Sequence, residues 1–171
     1  MTPDVGPLDE RGRAHLVIDP PPAVSVPRAP GARSHLADGR VVSWSPPLPP
    51  GLRIAVDAEI ADQPVPPALA RRFGIDRPEL FWPRWTAVEV ACKVLDVPIM
   101  VWLSQRGLRV DPGLVRTATF RTADLLVTVG TAGRAADAAT ATVAAAASGP
   151  CPGPLAGAST GRAGATCWRP R

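Results

Sequence analysis

The sequence predicts an α+β domain, a small antiparallel sheet packed on one long helix. Three observations point to it. Residues 52–59 alternate apolar and polar side chains, the pattern of a half-buried strand. Residues 84–97 form an apolar-rich run that begins after Pro83 and stops before Pro98, as a helix bounded by prolines does. Proline (22) and glycine (15) interrupt the 171-residue chain mainly outside this middle stretch, yet 46% of the residues are hydrophobic, enough for one core.

In chain order, residues 1–32 read as an irregular, Pro-rich lead whose short apolar run Leu16-Val17-Ile18 predicts a strand. A second strand is predicted at 40–44, closed off by Pro46, Pro47, Pro49 and Pro50, which make a stiff connector. Along 52–59, Leu52, Ile54, Val56 and Ala58 share one face, and Arg53, Ala55, Asp57 and Glu59 share the other. A short helix is expected at Pro67–Phe73, then a loop holding Pro78 and Pro83, the long helix, and later strands at 101–103 and 125–129. From Thr131 onward the chain changes character. Of the last 41 residues, 31 are Ala, Gly, Thr, Pro or Ser, and only Val143, Leu155 and Trp168 are sizeable apolar groups. A stretch at 135–147 has helical composition but cannot bury a core, so a disordered Ala/Gly/Pro-rich tail is expected. The organisation is a lead (1–32), a domain (33–130) and a low-complexity tail (131–171).

Composition excludes several function classes. Net charge is +4, but Lys93 is the sole lysine among 19 basic residues, and asparagine and tyrosine are absent. Such arginine bias suggests GC-rich coding, so most arginines need no functional account. The basic excess favours acidic partners only weakly. No RRM, KH, zinc-finger or recognition-helix signature occurs, so nucleic acid is not an expected partner. Cys92, Cys151 and Cys167 show no CxxC spacing, so neither a zinc site nor a disulfide framework is indicated. Cys92 reads as a small buried hydrophobe. Asp4, Asp9 and Glu10 stand where a secretory signal would be apolar, and no run of 18 apolar residues spans a membrane. A soluble cytoplasmic protein is expected.

Three features carry chemistry. Asp57 and Glu59, two apart on a strand, put two carboxylates on one face about 7 Å apart. Their repulsion is relieved if a divalent cation such as Mg²⁺ sits between them; the plain alternative is the solvated face of an amphipathic strand. Glu89 and Lys93 lie four apart on the long helix, stacked on one side. They form either an ordinary helix-stabilising pair or a phosphate-addressing lysine, since a compact ammonium suits a single phosphate oxygen. Ser34-His35 precedes the strand at 40–44, where a histidine is either incidental or a ligand contact.

Taken in order, Ser34-His35, Ile54-Ala55-Val56-Asp57-Ala58-Glu59 and Trp82-Pro83-Arg84-Trp85-Thr86-Ala87-Val88-Glu89-Val90-Ala91-Cys92-Lys93 resemble the 4′-phosphopantetheinyl transferase superfamily. The resemblance covers about 33–130, the metal-binding half of larger two-lobed members. It implies Mg²⁺ held by Asp57, Glu59 and Glu89, and coenzyme A contacted by Ser34, His35 and Lys93. It further implies that Glu89 orients or deprotonates the attacking serine of an acyl or peptidyl carrier protein, with Lys93 offsetting charge on the leaving group. The implied reaction moves phosphopantetheine to that serine and releases 3′,5′-ADP. Small family members form trimers with the site between subunits, so a homo-oligomer is implied too. The chain departs from the family pattern at Val88, usually lysine, at Val90, usually alanine or serine, in the short interval between Asp57 and Glu89, and in how little precedes Ser34. Two other readings stand beside this one. The chain is a catalytically degenerate member that binds carrier proteins, or it is a Pro/Arg-rich, partly disordered protein that binds acidic surfaces.

Overall fold

The computed structural model describes residues 13–21, 31–47 and 49–133. The tail from 134 on, with its helix candidate at 135–147, and residues 1–12 and 22–30 of the lead lie outside the described residues.

The protein is α+β. Strands β1 (Leu16–Asp19), β2 (Ala32–His35), β3 (Val41–Trp44) and β4 (Arg53–Ile60) come first, then helices α1 (Pro67–Phe73), α2 (Pro78–Leu95) and α3 (Ile99–Arg106). Strands β5 (Arg116–Thr122) and β6 (Leu125–Ala132) follow. The strands make two antiparallel three-stranded sheets, β1-β3-β2 and β4-β6-β5, where one sheet was expected. Periodicity identifies a strand but does not say which strand it pairs with, and proline residues between β3 and β4 separate the two ladders.

The second sheet is the middle layer. Ile54, Val56 and Ala58 of β4, with Phe120, Leu125, Val127 and Val129, close against Leu36, Val42 and Trp44 from the first sheet and its β2–β3 connection. The opposite face receives α2 through Val88, Val90, Ala91 and Val94, which pack with Ala55, Ala132 and the α3 residues Trp102 and Leu103. The alternation along β4 therefore holds, but its second face lies under a helix and not in water. Cys92 is buried in that helical core, as its setting predicted.

Helix α2 begins at Pro78, six residues before the predicted start, and carries Pro83 inside it. Pro83 removes one helical hydrogen bond and crowds the preceding turn. Burial of Phe81 and Trp82 against Val65 offsets that cost, and the Trp82 indole N–H donates to the Gln63 carbonyl at 2.8 Å. Phe81 meets Trp82 edge-on at 5.0 Å and stacks on Trp85 at 5.6 Å. At the other end Asp96 adopts the left-handed conformation (φ 55°) and sends its N–H back to the Cys92 carbonyl.

Residues 101–103, expected as a strand, belong to α3. A three-residue apolar run has no period of its own, and burial of Trp102 and Leu103 side by side fits a helix packed on α2. Strand β5 was not anticipated, because it is mostly threonine and arginine with little apolar content and buries only Phe120. Ser34 and His35 precede the predicted strand, which is β3, and lie within a strand of their own, β2, that the sequence did not show.

Val90 meets a matching gap. A Cβ at Gly130 of β6 would sit 2.3 Å from Val90 Cγ1 and 3.2 Å from the Arg116 carbonyl oxygen. The larger helix residue and the bare backbone opposite it are complementary. No helix among the described residues is long and apolar enough to cross a membrane.

Candidate active site

The site forms along the edge of β4. In its sheet β4 pairs only with β6, so its other edge has backbone groups for side chains to meet. Lys93 Nζ of α2 donates to the Val56 carbonyl at 3.2 Å, and the Ala58 N–H donates to Ser34 Oγ of β2 at 3.3 Å. Between those two groups lies Asp57, with its side chain 4% exposed.

Asp57 draws the other residues together. Its Oδ1 accepts from Lys93 Nζ at 2.6 Å and from Ser34 Oγ at 3.0 Å. Lys93 also stands 3.9 Å from Glu89 Oε2, one turn earlier on α2. Asp57 Oδ2 is buried and meets no hydrogen-bond partner among the described residues. The Glu89 carboxyl is pushed up to about 7, first by burial and then by the charge of Asp57, which together outweigh the nearby Lys93 ammonium. Burial also raises Glu59, although its carboxylate accepts a 2.7 Å hydrogen bond from Gln63 Nε2.

Beneath this cluster runs a row of hydroxyls. Asp57, Thr128 and Thr119 are cross-strand neighbours on β4, β6 and β5. Thr128 Oγ1 shares hydrogen bonds with Thr86 of α2 at 2.7 Å and with Thr119 at 2.8 Å. Thr86 also donates to the Trp82 carbonyl at 3.0 Å. The row pins α2 to the sheet one turn before Glu89. It thereby sets the distance from helix to Asp57.

A pocket of about 390 Å³ is lined by Glu89 and Lys93 together with Asp96, Val97, Pro98 and Ile99. Cys92 lines it as well, but burial pushes its thiol up to about 12, so it is not a thiolate nucleophile near neutral pH.

Of the residues singled out from sequence, Ser34, Asp57, Glu89 and Lys93 converge. Glu59 lies on the same face of β4 but is turned toward Gln63. His35 points to the opposite side of β2 from Ser34 and is exposed. Val88 is fully buried in the helix–sheet core, so that position presents no cation to a phosphate. Gln63 and Thr128 escaped sequence reasoning. Thr128 could be recognised only from its register opposite Asp57, and Gln63 only from the turn over 60–63 that brings it back over Glu59.

The donor set meets part of what a divalent cation requires. Asp57 Oδ2 is a buried oxygen without a hydrogen-bond partner among the described residues, and Glu59 and Glu89 are both raised by burial beside the Asp57 charge, a repulsion that a dication removes. With side chains as they stand, no group of three metal-capable residues is assembled among the described residues. The Lys93 ammonium supplies the positive charge on Oδ1, and Gln63 holds Glu59. Asp57 Oδ2 and Glu89 thus suit a cation directly, and Glu59 does once it leaves Gln63. No protein-family model, no curated protein and no solved structure matches this chain.

Proposed function

We propose that this protein is a Mg²⁺-dependent 4′-phosphopantetheinyl transferase that acts on coenzyme A and a serine of an acyl or peptidyl carrier protein. The observation that carries this reading is the meeting of Ser34, Glu89 and Lys93 around the Asp57 carboxylate, with Glu89 and Lys93 also lining a pocket. These residues come from three separate stretches of the chain, and those are the stretches in which the family resemblance lies.

Asp57, Glu89 and Glu59 would hold the cation. When bound, Mg²⁺ neutralises charge on a pyrophosphate. Glu89, which lines the pocket beside Lys93, is the carboxylate placed to accept the proton of the carrier serine. The serine oxygen then forms a bond to the phosphorus on the pantetheine side of the pyrophosphate. The bridging P–O bond breaks, and 3′,5′-ADP departs with the electron pair. Lys93 keeps its ammonium at the edge of the site, 39% exposed, where it offsets charge gathering on the leaving group.

Mass spectrometry of apo acyl and peptidyl carrier proteins incubated with the chain, coenzyme A and Mg²⁺ tests the reading, with Glu89→Gln alongside. The expected result is one added phosphopantetheine group with the native chain and none with the variant. No addition to either class of carrier overturns it. A second reading, a carrier-binding protein without transferase chemistry, is favoured by the buried Val88 and by the ion pair already closed on Asp57. Carrier affinity that survives Glu89→Gln in the absence of any transfer would select it.

A further inference from the structure

We infer that Ser34 is a positioning residue that aims the Asp57 carboxylate, an inference that rests on the cation-binding reading above. The hydroxyl has one hydrogen to donate and lone pairs to accept. It donates to Asp57 Oδ1 at 3.0 Å and accepts the Ala58 N–H at 3.3 Å. Ser34 is itself only 5% exposed, so both bonds are sheltered from water. The group therefore ties a carboxylate oxygen to the backbone one residue further along the same strand, from a strand in the other sheet.

The consequence is a division of labour between the two Asp57 oxygens. Oδ1 accepts from both Ser34 and Lys93, which leaves it engaged on two sides. Oδ2 is buried and has no partner among the described residues. A buried carboxylate oxygen without a donor is costly in a folded protein. It is understandable where that atom is the one offered to a cation. The family resemblance would place Ser34 on coenzyme A, yet a hydroxyl with its donor on Asp57 and its acceptor on Ala58 has nothing left to offer a phosphate. Outer-shell hydrogen bonds to ligating carboxylates commonly change metal affinity about 10–100-fold when removed.

Binding of Mn²⁺, a spectroscopic stand-in for Mg²⁺, followed by electron paramagnetic resonance on the full chain, tests this without any need for turnover. Ser34→Ala is expected to weaken Mn²⁺ binding about tenfold or more while circular dichroism and the melting curve remain those of a folded protein. Because any β-branched residue adds bulk to the buried site, Ser34→Thr and Ser34→Val are compared with each other. They share a shape and differ in the hydroxyl, so Thr is expected to bind Mn²⁺ at least fivefold more tightly than Val. Equal affinity for native protein and Ser34→Ala, or for the Thr and Val variants, overturns the role of Ser34 while leaving the metal site intact. Absence of Mn²⁺ binding by the native chain overturns the cation reading itself, and the inference falls with it.

Discussion

The two faces of β4 solve opposite problems. One face presents Ile54, Val56 and Ala58 to Trp44, Val42 and Leu36, a dry contact in which burial of apolar surface is the whole account. The other carries Asp57 and Glu59 beneath α2, where carboxylates lose water and lie close to one another. The first face makes the sheets cohere. The second works against stability, since burial raises Glu59 on this face and Glu89 on the helix above it, which favours their neutral forms. Perturbed carboxylates of this kind cluster at functional sites and in structural ion-pair networks alike. The contrast shows that alternation along one strand can encode both a core and a site, provided a second layer covers each side.

The largest effect is expected on the dry face. Trp44 is 1% exposed, and Trp44→Ala should cost about 3–5 kcal/mol in urea unfolding with the slope of the transition unchanged. A loss below about 1 kcal/mol would mean that the two sheets do not share one core. On the helix face, Gly130→Ala should destabilise by about 1–3 kcal/mol, because its Cβ meets Val90. Val90→Ala made together with Gly130→Ala should recover most of that loss. Additive losses in the double variant would show that the two positions do not fit together as described.

The contrast sharpens with pH. Glu89 titrates near 7 in the folded protein and near 4.5 when unfolded. Between those values the native state holds a proton that the unfolded chain has released. The stability this proton confers is present below about 4.5 and is lost as pH rises through about 7. The metal-free melting temperature should therefore fall as pH rises from 5 to 8, less steeply in Glu89→Gln. An identical pH slope in both proteins would show that Glu89 is not under the pressure ascribed to it. The smallest effect is expected at the rim. Arg121 pairs with Asp62 on an exposed surface, where ion pairs contribute little, so Arg121→Ala should leave the melting curve where it was. A marked fall would show that β5 depends on that pair more than on Phe120.

Much of this was legible in the chain. The α+β character, β4, α1, the core of α2 and the strand beginning at Leu125 follow from periodicity and from proline. Asp57, Glu59, Glu89 and Lys93 stood out because charges are sparse in their apolar surroundings. The start of α2 was not legible, since Pro83 reads as a boundary until Phe81 and Trp82 are seen to be buried. Residues 101–103 were misread because three apolar residues fit a strand and a helix equally. Strand β5 carries too few apolar side chains to show a period.

What the sequence determined by itself is therefore local: which segments coil or extend, which residues share a face, and that carboxylates and a lone lysine recur at strand and helix spacing. Spacing along a chain fixes neighbours within one element, because backbone geometry does. What only the tertiary structure decided is which elements meet. Strand pairing put Thr128 opposite Asp57, and layer packing brought Ser34 and Lys93 to the same carboxylate oxygen while leaving its partner oxygen bare. Those contacts join residues 23 and 36 positions apart, and no local period reaches that far.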